Sequence, residues 1–226
     1  MIKISNEVFP SPEYMKMVIL GARNSFCSRD RSDSTKVVKR EKFAKGNDIL
    51  LLGSADMDLL SRLAKGNTAE SKYLRMMHVI FDMSAPLYFW KQFDTYKIGT
   101  VSNSESTMHS LTKRPLTTED FSIPYGIADG ETWYETIDML NALIELYNLN
   151  KDKQIWGQLI SLLPSGYMQM RTIDISYATL KQIYNQRKGH KLGEWAQFIN
   201  WMMDIPYSGL IFGDDEVYQK HLIGLA

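Results

Sequence analysis

Apolar and polar positions along the chain set out a series of short elements. "IKISNEVF" alternates as an opening strand does, and Pro10 and Pro12 break it before a helix predicted around Glu13 to Ala22. "ADMDLLSRLAKG" has helical spacing, with Ser54 as its predicted cap, acidic residues in its first turn and Gly66 as its stop. "YLRMMHVIFDM" is short, apolar and partly β-branched or aromatic, which predicts a buried strand. The second half is mainly helical. In "ETWYETIDMLNALIELYNL", Trp133, Ile137, Leu140, Ile144 and Tyr147 recur at the spacing of a helix packed on a core. A shorter helix over "KQIWGQLISLL" ends at Pro164, "YMQMRTID" reads as a short strand or connector, and "DISYATLKQIYNQR" and "GEWAQFINWMMDI" read as two further helices.

Composition narrows the class. Of 226 residues, 44% are hydrophobic and 23% charged, which excludes disorder as the main state. The formal net charge of zero argues against coating nucleic acid, so nucleic acid is not the favoured partner. One cysteine, Cys27, makes an intramolecular disulfide impossible, and no Cys/His cluster has metal-site spacing, so no metal is expected. The start of the sequence lacks the pattern of a signal peptide and no run has the length of a membrane span, which predicts a cytoplasmic protein. No repeat or linker divides the chain, so residues 1–226 are expected to form a single domain.

Several segments carry candidate chemistry beside a plainer reading. Between Arg29 and Lys45 lie seven basic and three acidic residues, either a solvated mobile loop or a phosphate contact. His78, inside the apolar run, is a structural histidine before it is a catalyst. "FGDDE" offers carboxylates for a divalent cation but reads first as a solvated terminal segment. No phosphate-binding glycine loop, dinucleotide fingerprint or nucleophile elbow is present, and no catalytic residue is assigned.

The stretch from Gln92 to Ser110 follows the apolar run "HVIFDMSAPLYFW" directly and is dense in polar groups. "APLYFWKQFDTYKIGTVSNSESTMH" resembles the signature segment of flavin-dependent thymidylate synthases. Gln92 stands at that segment's glutamine, Thr95, Tyr96 and Lys97 at its Arg-His-Arg, and Thr100 at its serine. With one extra residue, Asn103, Glu105 and Ser106 fall near its Asn, Glu and Ser, and Met108 and His109 on its Arg-Tyr pair. "LLPSGYMQMRTIDISYATLKQIYNQR" is similar to the family's Leu-Pro segment and the helix after it, whose substrate-binding arginine matches Arg187. "EWAQFINWM" and "ILGARNSFCS" resemble further family segments in the same order.

The resemblance, to a divergent member of phage type, implies an α/β (α+β) fold with a central, largely antiparallel sheet flanked by helices. It implies a homotetramer that binds FAD between subunits and methylates dUMP, with methylenetetrahydrofolate as carbon donor and NADPH as reductant. It assigns Gln92, Ser106 and Arg187, with Arg171 nearby, to a pyrimidine nucleotide, and Lys97, Thr100, Asn103 and Glu105 to the cofactor.

Two family arginines are also replaced, by Ile160 before the Leu-Pro segment and by Ala178 on the later helix. Arginine's planar fork binds phosphates in pairs of hydrogen bonds that lysine does not reproduce. With Lys97 as the one cation in the signature, flavin binding is expected to be weak, unless the basic loop at Arg29 to Lys45 returns charge. "SNSES" has three readings: pocket lining, a helix cap, or a plain polar loop. Arg187 reads as a ligand contact with His190 and Glu194 beside it, or as a helix end whose Lys188 and His190 favour the C-terminal dipole. An enzyme, a nucleotide- or nucleic-acid-fragment-binding module and a structural or regulatory subunit remain as function classes.

Overall fold

The structure is a computed structural model and describes residues 1–39, 48–123, 131–213 and 216. It is a mixed α/β fold with a central antiparallel sheet flanked by helices. The four-stranded sheet has the order β1-β4-β6-β5, from β1 (Lys3–Val8), β4 (His78–Pro86), β5 (Thr100–Ser104) and β6 (Met168–Ser176). A two-stranded antiparallel ribbon joins β2 (Val37–Lys39) to β3 (Asp48–Leu50), with Val38 opposite Ile49. Two compact units divide the chain, one of Met1–Lys3, Met83–Thr95 and Asn103–Arg171, the other of Ile4–Asp82, Tyr96–Ser102 and Thr172–Ala226.

The first unit holds α3 (Leu87–Phe93), α4 (Thr107–Ser110), α5 (Glu131–Asn150) and α6 (Lys153–Leu162). The helical spacing read from α5 is realised as packing: Ile137, Leu140 and Ile144 are buried with Leu159 of α6, Phe121 and Tyr167, and Trp133 packs at the edge. Asp152 caps α6 by accepting from Gln154 N at 2.8 Å. α3 begins at Leu87 because its first amides have carbonyl partners elsewhere in the unit, Tyr167 O and Ser165 O, each at 3.0 Å.

The second unit holds α1 (Pro12–Arg23), α2 (Ser54–Lys65), α7 (Tyr177–Arg187), α8 (Gly193–Asp204) and α9 (Gly209–Phe212). The predicted strand 73–83 is shorter at its start and longer at its end: Glu70–Arg75 is a 3₁₀ segment and β4 begins at His78. Val79 and Phe81 bury one face of β4 in this unit while Ile80 is exposed, the alternation of a half-buried strand. The helix predicted from Asp174 starts at Tyr177, because residues 174–176 complete β6.

Ser11 caps α1 as Pro12 enters its first turn. Ser54 does not cap α2. The cap is Gly53, and the carboxylate of Asp33 accepts from Ala55 N at 2.9 Å and Asp56 N at 3.0 Å, so a charged acceptor from the preceding loop displaces the local hydroxyl.

That loop is part of the predicted mobile basic segment, and its described residues are ordered around one buried carboxylate. Asp56 accepts from Arg23 Nε at 2.5 Å, Ser34 Oγ at 2.6 Å, Ser32 Oγ at 2.9 Å and the amides of Asp33 and Ser34. Burial pushes the Asp56 carboxyl up, but the hydrogen bonds from Ser34, Arg23 and Ser32 outweigh it and hold it below the usual carboxylate range. Residues 40–45 of the basic segment lie outside the described residues.

Candidate functional site

In the second unit, β6 ends at Ser176, whose hydroxyl caps α7 by accepting from Thr179 N at 3.2 Å. Thr179 Oγ1 in turn donates to Ile98 O at 2.8 Å. Gly99 approaches these two hydroxyls so closely, at φ +70°, that a Cβ would lie 2.6 Å from Ser176 Oγ. A side chain at position 99 is therefore excluded by both space and backbone conformation.

Arg187 closes the last turn of α7 and is half-buried. Its guanidinium lies over the fully buried Trp195 ring, 4.8 Å from the centroid, and its Nε donates to Tyr96 Oη at 2.9 Å. Tyr96 Oη donates to Gln186 Oε1 at 3.0 Å, and the Tyr96 ring meets Trp195 edge-on. Among the described residues the two Nη groups of Arg187 make no hydrogen bond. The result is a guanidinium fixed in plane with its outer fork open, the form that takes an anion in paired hydrogen bonds.

A cavity of ≈ 720 Å³ opens at the same helix, lined by Ile98, Gly99, Ala178, Lys181 and Asn185, with Arg75 from the 3₁₀ segment. Its volume lies within the range of about 300–1,000 Å³ usual for small-molecule sites. None of the described lining residues is acidic. Lys181 Nζ donates to Ala64 O, and burial pushes the lysine pKa down. Arg75 Nη2 donates to Thr68 O at 2.7 Å.

In the first unit, Arg171 is held on every side. Nε donates to Gln169 Oε1 at 3.0 Å, Nη1 to Asp94 Oδ1 at 2.6 Å and Nη2 to Asp94 Oδ2 at 3.4 Å, while the guanidinium lies 4.3 Å from the Trp90 ring centroid. Gln169 Nε2 carries the chain of bonds on to Glu105 O at 2.9 Å. Thr95 Oγ1 donates to Gln92 O at 2.7 Å, closing the turn after α3.

The predicted site residues thus divide. Gln92, Asn103, Glu105, Ser106 and Arg171 belong to the first unit, where Arg171 and Glu105 share Gln169 as a partner; Lys97, Thr100 and Arg187 belong to the second. Lys97 is exposed, and Thr100 Oγ1 is buried with no hydrogen bond among the described residues. Ser102, Asn103 and Ser104 are exposed on β5. Ser106 precedes α4 but makes no side-chain cap; its carbonyl accepts from His109 N and Ser110 N at 3.0 Å each, so the capping reading of "SNSES" does not apply to its hydroxyl.

Other candidates have structural settings. Tyr96, in the signature run, is core. Ile160 is partly buried against the first unit's core, whereas Ala178 lines the cavity. His78 is engaged at both ring nitrogens, by Asp174 Oδ1 at 2.7 Å and Arg75 O at 2.9 Å, as the structural reading expects. Cys27 is exposed. No metal-binding cluster occurs among the described residues, and Asp214 and Asp215 of "FGDDE" lie outside them. No helix of the described residues is long and apolar enough to cross a membrane. Sequence reasoning missed Arg75 and Lys181; nothing local marks them, because their shared cavity forms only when the 3₁₀ segment and α7 come together.

This architecture is that of the flavin-dependent thymidylate synthases. The chain is similar in structure to ThyX from Helicobacter pylori complexed with FAD and dUMP, at 16% identity and a TM-score of 0.66, over 94% of this chain and 98% of that one. A second crystal structure of Helicobacter pylori ThyX with FAD and dUMP gives 16% identity and a TM-score of 0.67, over 95% and 98%. No protein-family model and no curated protein sequence matches the chain.

The residues present suit an anionic, nucleotide-sized group in the cavity, which offers hydroxyl, amide and cationic donors and no carboxylate. The run Thr95–Lys97 contributes little to such a site: Thr95 is closed on Gln92, Tyr96 is buried, and Lys97 alone brings charge.

Proposed function

We propose that this chain is a divergent flavin-dependent thymidylate synthase-like protein, of phage type, that acts on a pyrimidine nucleotide such as dUMP. The observation that carries the reading is Arg187, pinned by Tyr96 and Trp195 with its outer fork open. Structural neighbours crystallised with FAD and dUMP support the same ligand class. In this reading Arg187 takes the nucleotide's anionic group and, in the same unit, Lys97 and Thr100 contribute to cofactor contact; the first unit's own candidates are Gln92 and Ser106 for substrate and Asn103 and Glu105 for cofactor. FAD, when bound, would supply hydride transfer that no side chain of the protein offers. Methylenetetrahydrofolate and NADPH complete the reaction.

We read residues 1–226 as one functional domain, because unit boundaries fall within all four strands of the sheet, β1, β4, β5 and β6. Its setting is a cytoplasmic homotetramer. A second reading, nucleotide binding without turnover, is favoured by Thr95, Tyr96 and Lys97, which bring one exposed cation in place of two arginines. Titration of dUMP into purified protein, followed by assay for thymidylate with folate, FAD and NADPH supplied, separates them. Saturable dUMP binding with product supports the first, binding without product supports the second, and no dUMP binding overturns both.

A further inference from the structure

The cavity beside α7 carries charge where the signature segment lacks it. On a helix, residues three and four apart share a face, and Ala178, Lys181, Gln182 and Asn185 all line the cavity at that spacing. Ala178 is the position at which the resembled family carries an arginine. The small side chain leaves room there, and an ammonium stands one turn along the same face, at Lys181.

Lys181 is partly withdrawn from water and donates to a neutral carbonyl, Ala64 O. Such a cation gains when an anion enters beside it, because desolvation has already been met and the low local dielectric strengthens the new pair. Arg75 reaches the same cavity from the 3₁₀ segment Glu70–Arg75. One of its nitrogens serves Thr68 O, and among the described residues Nε and Nη1 make no hydrogen bond.

We propose that Arg75 and Lys181 together hold a phosphoryl group of the ligand in this cavity, replacing from two new positions the guanidinium charge absent at 95–97 and 178. The inference rests on the nucleotide-binding reading above. Two ligands could bring that group, a flavin dinucleotide through its pyrophosphate or a pyrimidine mononucleotide through its phosphate. The competing structural role is a brace, with Lys181 tying α7 to the end of α2 and Arg75 closing its own turn.

The test is direct binding, with FAD, riboflavin and dUMP titrated separately into the parent, Arg75→Gln, Lys181→Met and Lys181→Arg. Flavin fluorescence reads the first two ligands and calorimetry the third. Charge-assisted hydrogen bonds are the strong ones, so each charge-removing variant should weaken the phosphorylated ligand by about tenfold, with riboflavin unchanged and Lys181→Arg near the parent. The loss should also shrink as salt rises. Loss confined to FAD assigns the pyrophosphate, and loss confined to dUMP assigns the mononucleotide phosphate.

Three results overturn the proposal: equal affinities in parent and variants, equal losses for riboflavin and FAD, or no phosphorylated ligand bound by the parent. Arg75 is exposed, so Arg75→Gln keeps the test decisive if Lys181→Met does not fold. Arg187→Ala, measured in parallel, tests the nucleotide reading separately. Unchanged dUMP affinity in that variant removes the reading's carrying observation whatever Arg75 and Lys181 do.

Discussion

Arg171 in the first unit and Arg187 in the second both lie over a tryptophan ring, at 4.3 Å and 4.8 Å, yet they are prepared for different work. Arg171 has all three nitrogens engaged, two on Asp94 and one on Gln169. Among the described residues, Arg187 has only Nε engaged, by a tyrosine hydroxyl that brings no negative charge. Stacking fixes the plane of a guanidinium; the company at its edge decides whether it braces the fold or receives a ligand. A saturated fork must give up a carboxylate before it takes a phosphate, whereas an open one gives up only water.

The largest expected effect that sharpens this contrast is on binding. Arg187→Ala should weaken dUMP by about 10- to 100-fold, the equivalent of about 1.5–3 kcal/mol for a charged hydrogen-bonded contact, with the thermal transition nearly unchanged. Arg187→Lys should recover little, since an ammonium lacks the paired fork. Calorimetric titration of each variant checks both.

Next comes Arg171→Ala, which should cost about 1–2 kcal/mol of stability in denaturant melts and leave dUMP affinity at the parent value. Asp94 is about half exposed, so solvent screening limits the ion pair and much of this loss comes from the ring contact. A nucleotide-binding defect in Arg171→Ala would break the comparison.

Smaller again is Tyr96→Phe, which keeps the buried ring and removes the hydroxyl that fixes Arg187 Nε. Affinity for dUMP should fall by about three- to tenfold, the worth of one net hydrogen bond. Affinity equal to the parent's would mean that the ring contacts at positions 96 and 195 orient the guanidinium without the hydroxyl.

Acid separates the arginines from the carboxylates that depend on arginine. Asp56 in the second unit and Asp120 in the first are both held below the ordinary carboxylate range. For Asp120, burial acts upward and is outweighed by hydrogen bonds from Arg114 and the Thr117 amide. A depressed folded-state pKa stabilises above the unfolded value, about 3.9, and that stability is lost as pH falls through the lower folded value. Stability should therefore be flat in these groups above about pH 5 and decline below about pH 4. Asp56→Asn should flatten part of that decline, and an unchanged acid limb would show that the carboxylate is not the titrating group.

Much of the fold was legible because it is written in local periodicity. The spacing of Ile137, Leu140 and Ile144 specifies the buried face of α5, and the short, apolar, partly β-branched run through Val79, Ile80 and Phe81 specifies β4. The start of β4 was misjudged, since "YLRMM" is apolar enough for a strand yet turns as a 3₁₀ segment that buries Tyr73 and Leu74. Long-range electrostatics were not legible. Asp33 displaces Ser54 at the head of α2 from 22 residues away, and Asp94 engages Arg171 from 77 residues away. Of the candidate site, the position of Arg187 was read from the resemblance to the family's Leu-Pro segment and the helix after it, while its clamp by Tyr96 required the fold. Lys181 had the helical spacing from Ala178 in plain view, but only the cavity gives that spacing meaning.

The account's central claim is that the open fork of Arg187 receives the charged end of a nucleotide. It is tested most directly by titrating dUMP and its uncharged nucleoside, deoxyuridine, into the parent and into Arg187→Ala. The account predicts that the parent prefers dUMP by about tenfold or more and that Arg187→Ala loses most of this preference while binding deoxyuridine as the parent does. An undiminished preference for dUMP in Arg187→Ala would contradict it.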